Sequence, residues 1–153
     1  MFIEYVKSPS GWVDITASES AVHGVVFVDK KTKQSKPNKL TKNCSVQLDE
    51  YFAGDRKVFD IPFDQEGTAF QNNVWQQLLS IPYGQLASYG DIAKKLKNPK
   101  AVRAVGAANG KNPVSILVPC HRVIGSNGKL TGYAGGLERK QWLLQHEGLG
   151  IYS

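Results

Sequence analysis

Cysteine is scarce in this chain of 153 residues: Cys44 and Cys120 are the only two. They stand 76 positions apart, which makes no disulfide framework and leads us to expect a reducing, cytoplasmic setting. There are three histidines and no C-x-x-C or H-x-x-x-H spacing, so no zinc or other metal site is expected. Long apolar runs are also missing. Nothing approaches the roughly 18 apolar residues of a membrane span, and no membrane association is expected. The opening stretch, Met1-Phe-Ile-Glu-Tyr-Val-Lys7, lacks a basic lead into an apolar segment, so no cleaved signal peptide is expected. The second half is short of acid. Residues 85–153 hold three Asp or Glu against ten Lys or Arg, while residues 1–84 hold ten against nine. A basic half-chain suits an anionic partner such as nucleic acid. A solvated basic face with no partner fits the charge alone equally well.

What is present is ordinary for a globular protein: 41% apolar and 21% charged residues, in a length that can bury a full core. Trp12-Val-Asp-Ile-Thr-Ala17 and Ala21-Val-His-Gly-Val-Val-Phe-Val28 are rich in β-branched and aromatic residues and read as strands. Residues 1–28 as a whole read as strands, with Ser8-Pro-Ser-Gly11 as the turn between the first two. Lys30 to Lys42, dense in lysine and broken by Pro37, reads as a mobile loop. A helix is expected over Cys44–Phe52, with Val46, Leu48, Tyr51 and Phe52 on one face and Gly54 ending it. Val58-Phe-Asp-Ile-Pro-Phe63 reads as a further short strand or extended segment. Gly67 reads as a seam. The expected architecture is α+β: a small α/β domain over residues 1–66, then a mostly helical domain over residues 67–153 with a helix-turn-helix.

Helix starts in the second half are clear. Thr68 with Gln71 makes a capping box for a helix through Val74, Leu78 and Leu79, which Ile81-Pro-Tyr-Gly84 ends. Ser88 with Asp91 makes another, opening Tyr89–Leu96. Asn98 fits an N-cap with Pro99 at the first helical position, so the next helix is expected to follow after about three residues and run through Ala108. This second helix is made of small residues: Ala101, Ala104, Gly106, Ala107 and Ala108. Base-reading helices need long polar side chains, and after Lys100 only Arg103 qualifies. Small residues allow close approach, either of a neighbouring helix or of DNA without sequence preference; the adjoining basic charge favours DNA. A last helix is expected near Leu137–His146.

Ile116-Leu-Val-Pro-Cys-His-Arg-Val-Ile124 sets a thiol, an imidazole and a guanidinium in an apolar run. A thiol is nucleophilic as thiolate, which a nearby imidazole or cation favours. Adjacency alone does not establish contact, because neighbours on a strand face opposite ways, and a lone buried cysteine is commonly inert.

Pro119-Cys-His-Arg-Val123 resembles the active-site motif of the O6-alkylguanine-DNA alkyltransferases, also called methylated-DNA–protein-cysteine methyltransferases. Asn112-Pro113, Ser88-Tyr-Gly90, Arg103-Ala-Val-Gly106, Gly132-Tyr133, Gly135-Gly-Leu137 and His146-Glu-Gly148 fall in the same order and spacing. The resemblance is strong over residues 68–153 and general before them. It implies direct-reversal DNA repair: a single, irreversible transfer of an alkyl group from O6-alkylguanine, and from O4-methylthymine, to Cys120. It implies no cofactor, a double-stranded DNA partner carrying the lesion, and a monomer. By the same resemblance His121 is the base acting on Cys120 through a water, and Glu147 orients and charges His121. Asn112 holds the turn before an active-site strand. Tyr89 assists the leaving guanine and turns the lesion's phosphate. Arg103 fills the gap left by the flipped nucleotide, within a DNA-binding helix that includes Ala104, Gly106 and Ala107. The Cys120 and Val123 carbonyls accept from the guanine amino group, and Tyr133 and Ala134 complete the substrate pocket. One position departs: many members carry serine where this chain has Ala134, leaving only a backbone N–H toward O6. A non-catalytic lesion-binding protein is the alternative, but the relatives of that kind lack the acceptor cysteine.

Overall fold

The computed structural model describes residues 1–150. The chain divides into two compact units, residues 1–66 with 113–117, and residues 67–112 with the segment from 118 onward.

The first unit is built on three antiparallel strands, β1 (Phe2–Ser8), β2 (Gly11–Ala17) and β3 (Val22–Val28), in the order β1-β2-β3. Alternation puts Val6, Val13, Ile15, Ala17, Val25 and Phe27 on one face, all buried. Helix α1 (Lys39–Phe52) packs there with Thr41, Cys44, Leu48 and Tyr51 buried, and Thr41 donates to Glu4 at 3.0 Å. This helix starts five residues before its expected beginning at Cys44. Asn38 and Thr41 form a reciprocal capping box, and the two lysines of the first turn, Lys39 and Lys42, do not prevent it. Val46, expected on the apolar face, is 58% exposed; the buried face is the one through Thr41 and Cys44. Residues 58–63 form no strand beyond a single bridge from Phe63 to Val22. The segment from Pro113 returns to β3, where the Val25 N–H donates to the Pro113 carbonyl and the Ser115 N–H to the Val25 carbonyl.

The second unit is mostly helical. Helix α2 (Ala69–Leu78) is opened by the Thr68–Gln71 box and buries Val74, Trp75 and Leu78, while Leu79 lies outside the helix and is exposed. A two-residue strand β4 (Ala87–Ser88) leads into α3 (Tyr89–Lys95), opened by the Ser88–Asp91 box. Helix α4 spans Val102–Gly110, and the Trp75 indole N–H ties α2 to it by donating to the Ala108 carbonyl at 2.8 Å. Asn98 does not cap α4. Lys97 takes a left-handed φ of 58°, and the Asn98 and Lys97 N–H groups close back on Ala93 and Lys94. That is a Schellman stop, so Asn98 belongs to the end of α3, and six residues rather than three join the helices. Residues Cys120–Arg122 form a 3-10 turn, not the expected active-site strand, followed by β5 (Val123–Ile124) parallel to β4. Helix α5 (Leu137–His146) buries Lys140, Leu143 and Leu144.

Candidate active site

The 3-10 turn is what brings Cys120, His121 and Arg122 into one interior, where all three are buried. Two amides fix it. Asn112 donates to the Val118 carbonyl at 2.9 Å, and Asn109, from the last turn of α4, donates to the Cys120 carbonyl at 3.1 Å. The Cys120 carbonyl, expected to serve the guanine amino group, therefore already accepts one hydrogen bond inside the protein.

Glu147 is the hub. One carboxylate oxygen accepts from the Arg122 Nε at 2.8 Å and the Gly84 N–H at 3.0 Å. The other lies 2.7 Å from His121 Nε2 and accepts from an Arg122 terminal nitrogen at 3.1 Å. Burial alone would raise this carboxyl, but the hydrogen bonds and charges of His121 and Arg122 outweigh it and hold it well below the usual carboxylate range. Burial pushes His121 down, against the pull of Glu147, and the positive charges of Arg122 and Lys140 add to burial. A neutral imidazole that donates Nε2–H to the carboxylate carries its lone pair on Nδ1. That atom is buried and has no hydrogen-bond partner among the described residues. Arg122 also donates to the Ile81 carbonyl at 2.7 Å, so the Ile81–Gly84 turn closes around the carboxylate.

Tyr89, the first residue of α3, donates its hydroxyl to the Thr131 carbonyl at 2.7 Å. Beside it lies Lys140, fully buried, whose ammonium donates to the same carbonyl at 2.6 Å and to the Tyr89 hydroxyl at 3.5 Å. Burial pushes Lys140 down to about 8, while a charge on Cys120 pulls it back up. Burial likewise raises Tyr89, as does the Cys120 charge, against hydrogen bonds from Thr131 and Asn109. Gly132 closes this corner at a φ of 63°, where a Cβ would stand 3.1 Å from the Tyr89 hydroxyl. Tyr133 is buried and Ala134 is exposed.

On α4, Val105, Ala108 and Asn109 point inward, and Arg103, Ala104 and Ala107 are exposed. A Cβ on Gly106 would meet nothing within 4 Å, so no packing inside the protein requires that glycine.

Sequence reasoning missed three groups. Arg122 reads from the sequence only as a cation near the thiol, because its fork onto Glu147 spans 25 residues of chain. Asn109 carries no local signal in the sequence; its role follows from its place in the last turn of α4. Lys140 was detectable: with Leu143, Leu144 and Glu147 it has the spacing of one helix face, and a lysine on an apolar stripe is a signal.

This geometry agrees with what the chain resembles across its length. Residues 69–149 match the family model of the 6-O-methylguanine DNA methyltransferase DNA binding domain, and residues 1–65 that of its ribonuclease-like domain. A methylated-DNA–protein-cysteine methyltransferase of Methanosarcina acetivorans is 48% identical, covering 97% of this chain and 99% of its own. One from Mycolicibacterium paratuberculosis is 47% identical, covering 95% and 92%. The crystal structure of a Mycobacterium tuberculosis homologue in complex with DNA superposes with a TM-score of 0.88 at 42% identity, covering 96% of this chain and 92% of that one. Two domain models in series, relatives that match end to end, and a buried Cys-His-Arg turn locked to a glutamate place this chain in the 6-O-methylguanine DNA methyltransferase family, as a DNA-repair methyltransferase.

Proposed function

We propose that this protein takes the alkyl group from O6 of guanine, and from O4 of thymine, in double-stranded DNA and keeps it on Cys120. The observation that carries this is the Glu147–His121 bond, which leaves a lone pair on Nδ1 of the residue next to the thiol. His121 takes the Cys120 proton through one bridging water, and Glu147, held by Arg122 and Gly84, stabilises the imidazolium that forms. The thiolate attacks the alkyl carbon. The S–C bond forms, the C–O bond breaks, and its electron pair stays on the guanine oxygen. Tyr89 supplies a hydrogen bond or proton to the departing base, which requires its hydroxyl to turn from Thr131. Lys140, at 3.5 Å from that hydroxyl, can restore the proton.

The target atom lies inside the stack, so the nucleotide is flipped out. The exposed small face of α4, through Ala104, Gly106 and Ala107, lets the helix approach DNA closely, and Arg103 occupies the vacated place. Tyr133, Ala134 and the Val123 backbone line the base's pocket, and Asn112 keeps the turn in shape. The thioether has no carbonyl for water to attack, so each molecule acts once, as a cytoplasmic monomer with no cofactor. Repair of a duplex carrying O6-methylguanine is therefore expected to stop at one lesion per protein molecule. Continued turnover would overturn this reading in favour of a hydrolase. Binding without repair would favour a lesion-binding protein.

A further inference from the structure

Lys30, Lys31, Lys33, Lys36, Lys39 and Lys42 fall within residues 30–48, where there is no aspartate or glutamate. All six are exposed. None lies within ion-pair distance of a carboxylate among the described residues. Asp14 senses Lys33, yet burial still holds its carboxyl above the usual range, which makes it a poor counter-ion.

The segment that carries these charges is tied down. The Ile3 and Lys36 backbones exchange two hydrogen bonds of 2.8 Å, and the Lys33 N–H donates to the Tyr5 hydroxyl at 3.1 Å. Lys31 sits 4.3 Å from the Trp12 ring centroid and Lys7 sits 5.6 Å from the same centroid. A merely solvated loop would let like charges spread apart. Here a strap laid along β1 and an indole hold them together, so the repulsion is built in and awaits a polyanion. Lys31, Lys33 and Lys36 are two and three residues apart, at most about 7 and 10 Å of chain. That is the scale of two to three phosphate steps along one strand, at about 3.4 Å of helix axis each.

We propose that this strap binds the phosphate backbone of DNA, a contact separate from the α4 face and resting on the DNA substrate proposed above. It carries no sequence information, because ammonium groups on phosphates position a protein without reading bases. The test uses the full chain, a fluorescein-labelled undamaged duplex and the variant K31Q/K33Q/K36Q. The slope of log affinity against log salt is expected to become shallower by about 0.9 for each lysine that meets a phosphate, up to about 2.7. K31R/K33R/K36R is expected to restore it, which separates lost charge from lost folding. An unchanged slope in the glutamine variant overturns the proposal, as does an arginine variant that fails to recover. So does a glutamine variant that loses binding to phosphatidylserine vesicles while its DNA slope stays the same, since the strap would then serve a membrane. Alkyl transfer from free O6-benzylguanine is expected to stay at the wild-type rate in both variants. Failure of the wild type in that assay would count against the acceptor role of Cys120 and not against the strap.

Discussion

Cys44 and Cys120 are both buried thiols, with exposures of 0% and 3%, and burial alone gives no reason for them to differ. Their surroundings do. Cys44 faces the sheet from α1, where burial pushes it up to about 12 and the charge of Glu4 adds to the effect. Cys120 begins a turn whose next residue is an imidazole tied to a carboxylate, and a buried ammonium senses its charge. The comparison teaches that a reactive cysteine is made by the sign of the charges enclosed with it.

The sharpest way to break the contrast is to remove its hub. Glu147→Gln leaves Arg122 buried without its anion and offers Arg122 and His121 one neutral amide oxygen in place of two charged ones. Transfer to Cys120 is expected to slow by about 100- to 10,000-fold, the usual span for a general base. Stability is expected to fall by about 3–5 kcal/mol, as for other broken buried pairs. Chemical denaturation with single-turnover kinetics measures both. The pH dependence has a definite sign. Glu147 is depressed in the folded state, so its contribution is fully present above the ordinary value of 4.5 and is lost as pH falls below it. Wild-type stability is expected to decline below about pH 4.5 more steeply than that of Glu147→Gln. Equal slopes would mean that the carboxylate is not held as described.

Next in size is Lys140→Met, which keeps volume and removes the ammonium. Folding is expected to tolerate it, since the Lys140 ammonium makes no ion pair among the described residues and burial already works against its charge. Transfer is expected to fall about tenfold, equivalent to roughly one pKa unit of lost support for the thiolate. In the wild type, Lys140 titrates at about 8 against an ordinary 10.5. The unfolded chain therefore holds the extra proton between those values, and stability should rise with pH across that window. A Met variant with the wild-type rate and the same alkaline slope would remove Lys140 from the comparison.

The smallest effect is expected at Arg103, which lies outside the buried network. Arg103→Ala should lower repair of duplex DNA several-fold and leave reaction with free O6-benzylguanine unchanged. Arg103→Lys should not recover it, because stacking needs a planar guanidinium. Recovery by lysine would make Arg103 a phosphate contact, and equal losses on both substrates would make it structural.

What the sequence made legible follows from the range of each interaction. The capping boxes at Thr68 and Ser88 were readable because cap and partner lie three residues apart. Asn38 and Thr41 have the same spacing, but the lysines around them suggested a loop. Asn98 was misassigned because a Schellman stop depends on the left-handed turn at Lys97, and lysine does not announce that conformation. The Cys120 segment is recognisable from its motif, while its 3-10 turn is not. The network around Glu147 was legible only in its His121 link, which the motif implied. The links to Arg122, Ile81 and Gly84 join residues far apart in the chain, and no local pattern encodes them.

The most direct measurement is to locate the alkyl group. The native protein is incubated with an O6-methylguanine duplex, digested, and its cysteine peptides weighed by mass spectrometry. One methyl group is expected on the peptide containing Cys120 and none on the peptide containing Cys44, with Cys120→Ala gaining no mass at all. A methyl group on Cys44, or repair of the duplex with no gain of mass on either peptide, would contradict the assignment of Cys120 as the acceptor.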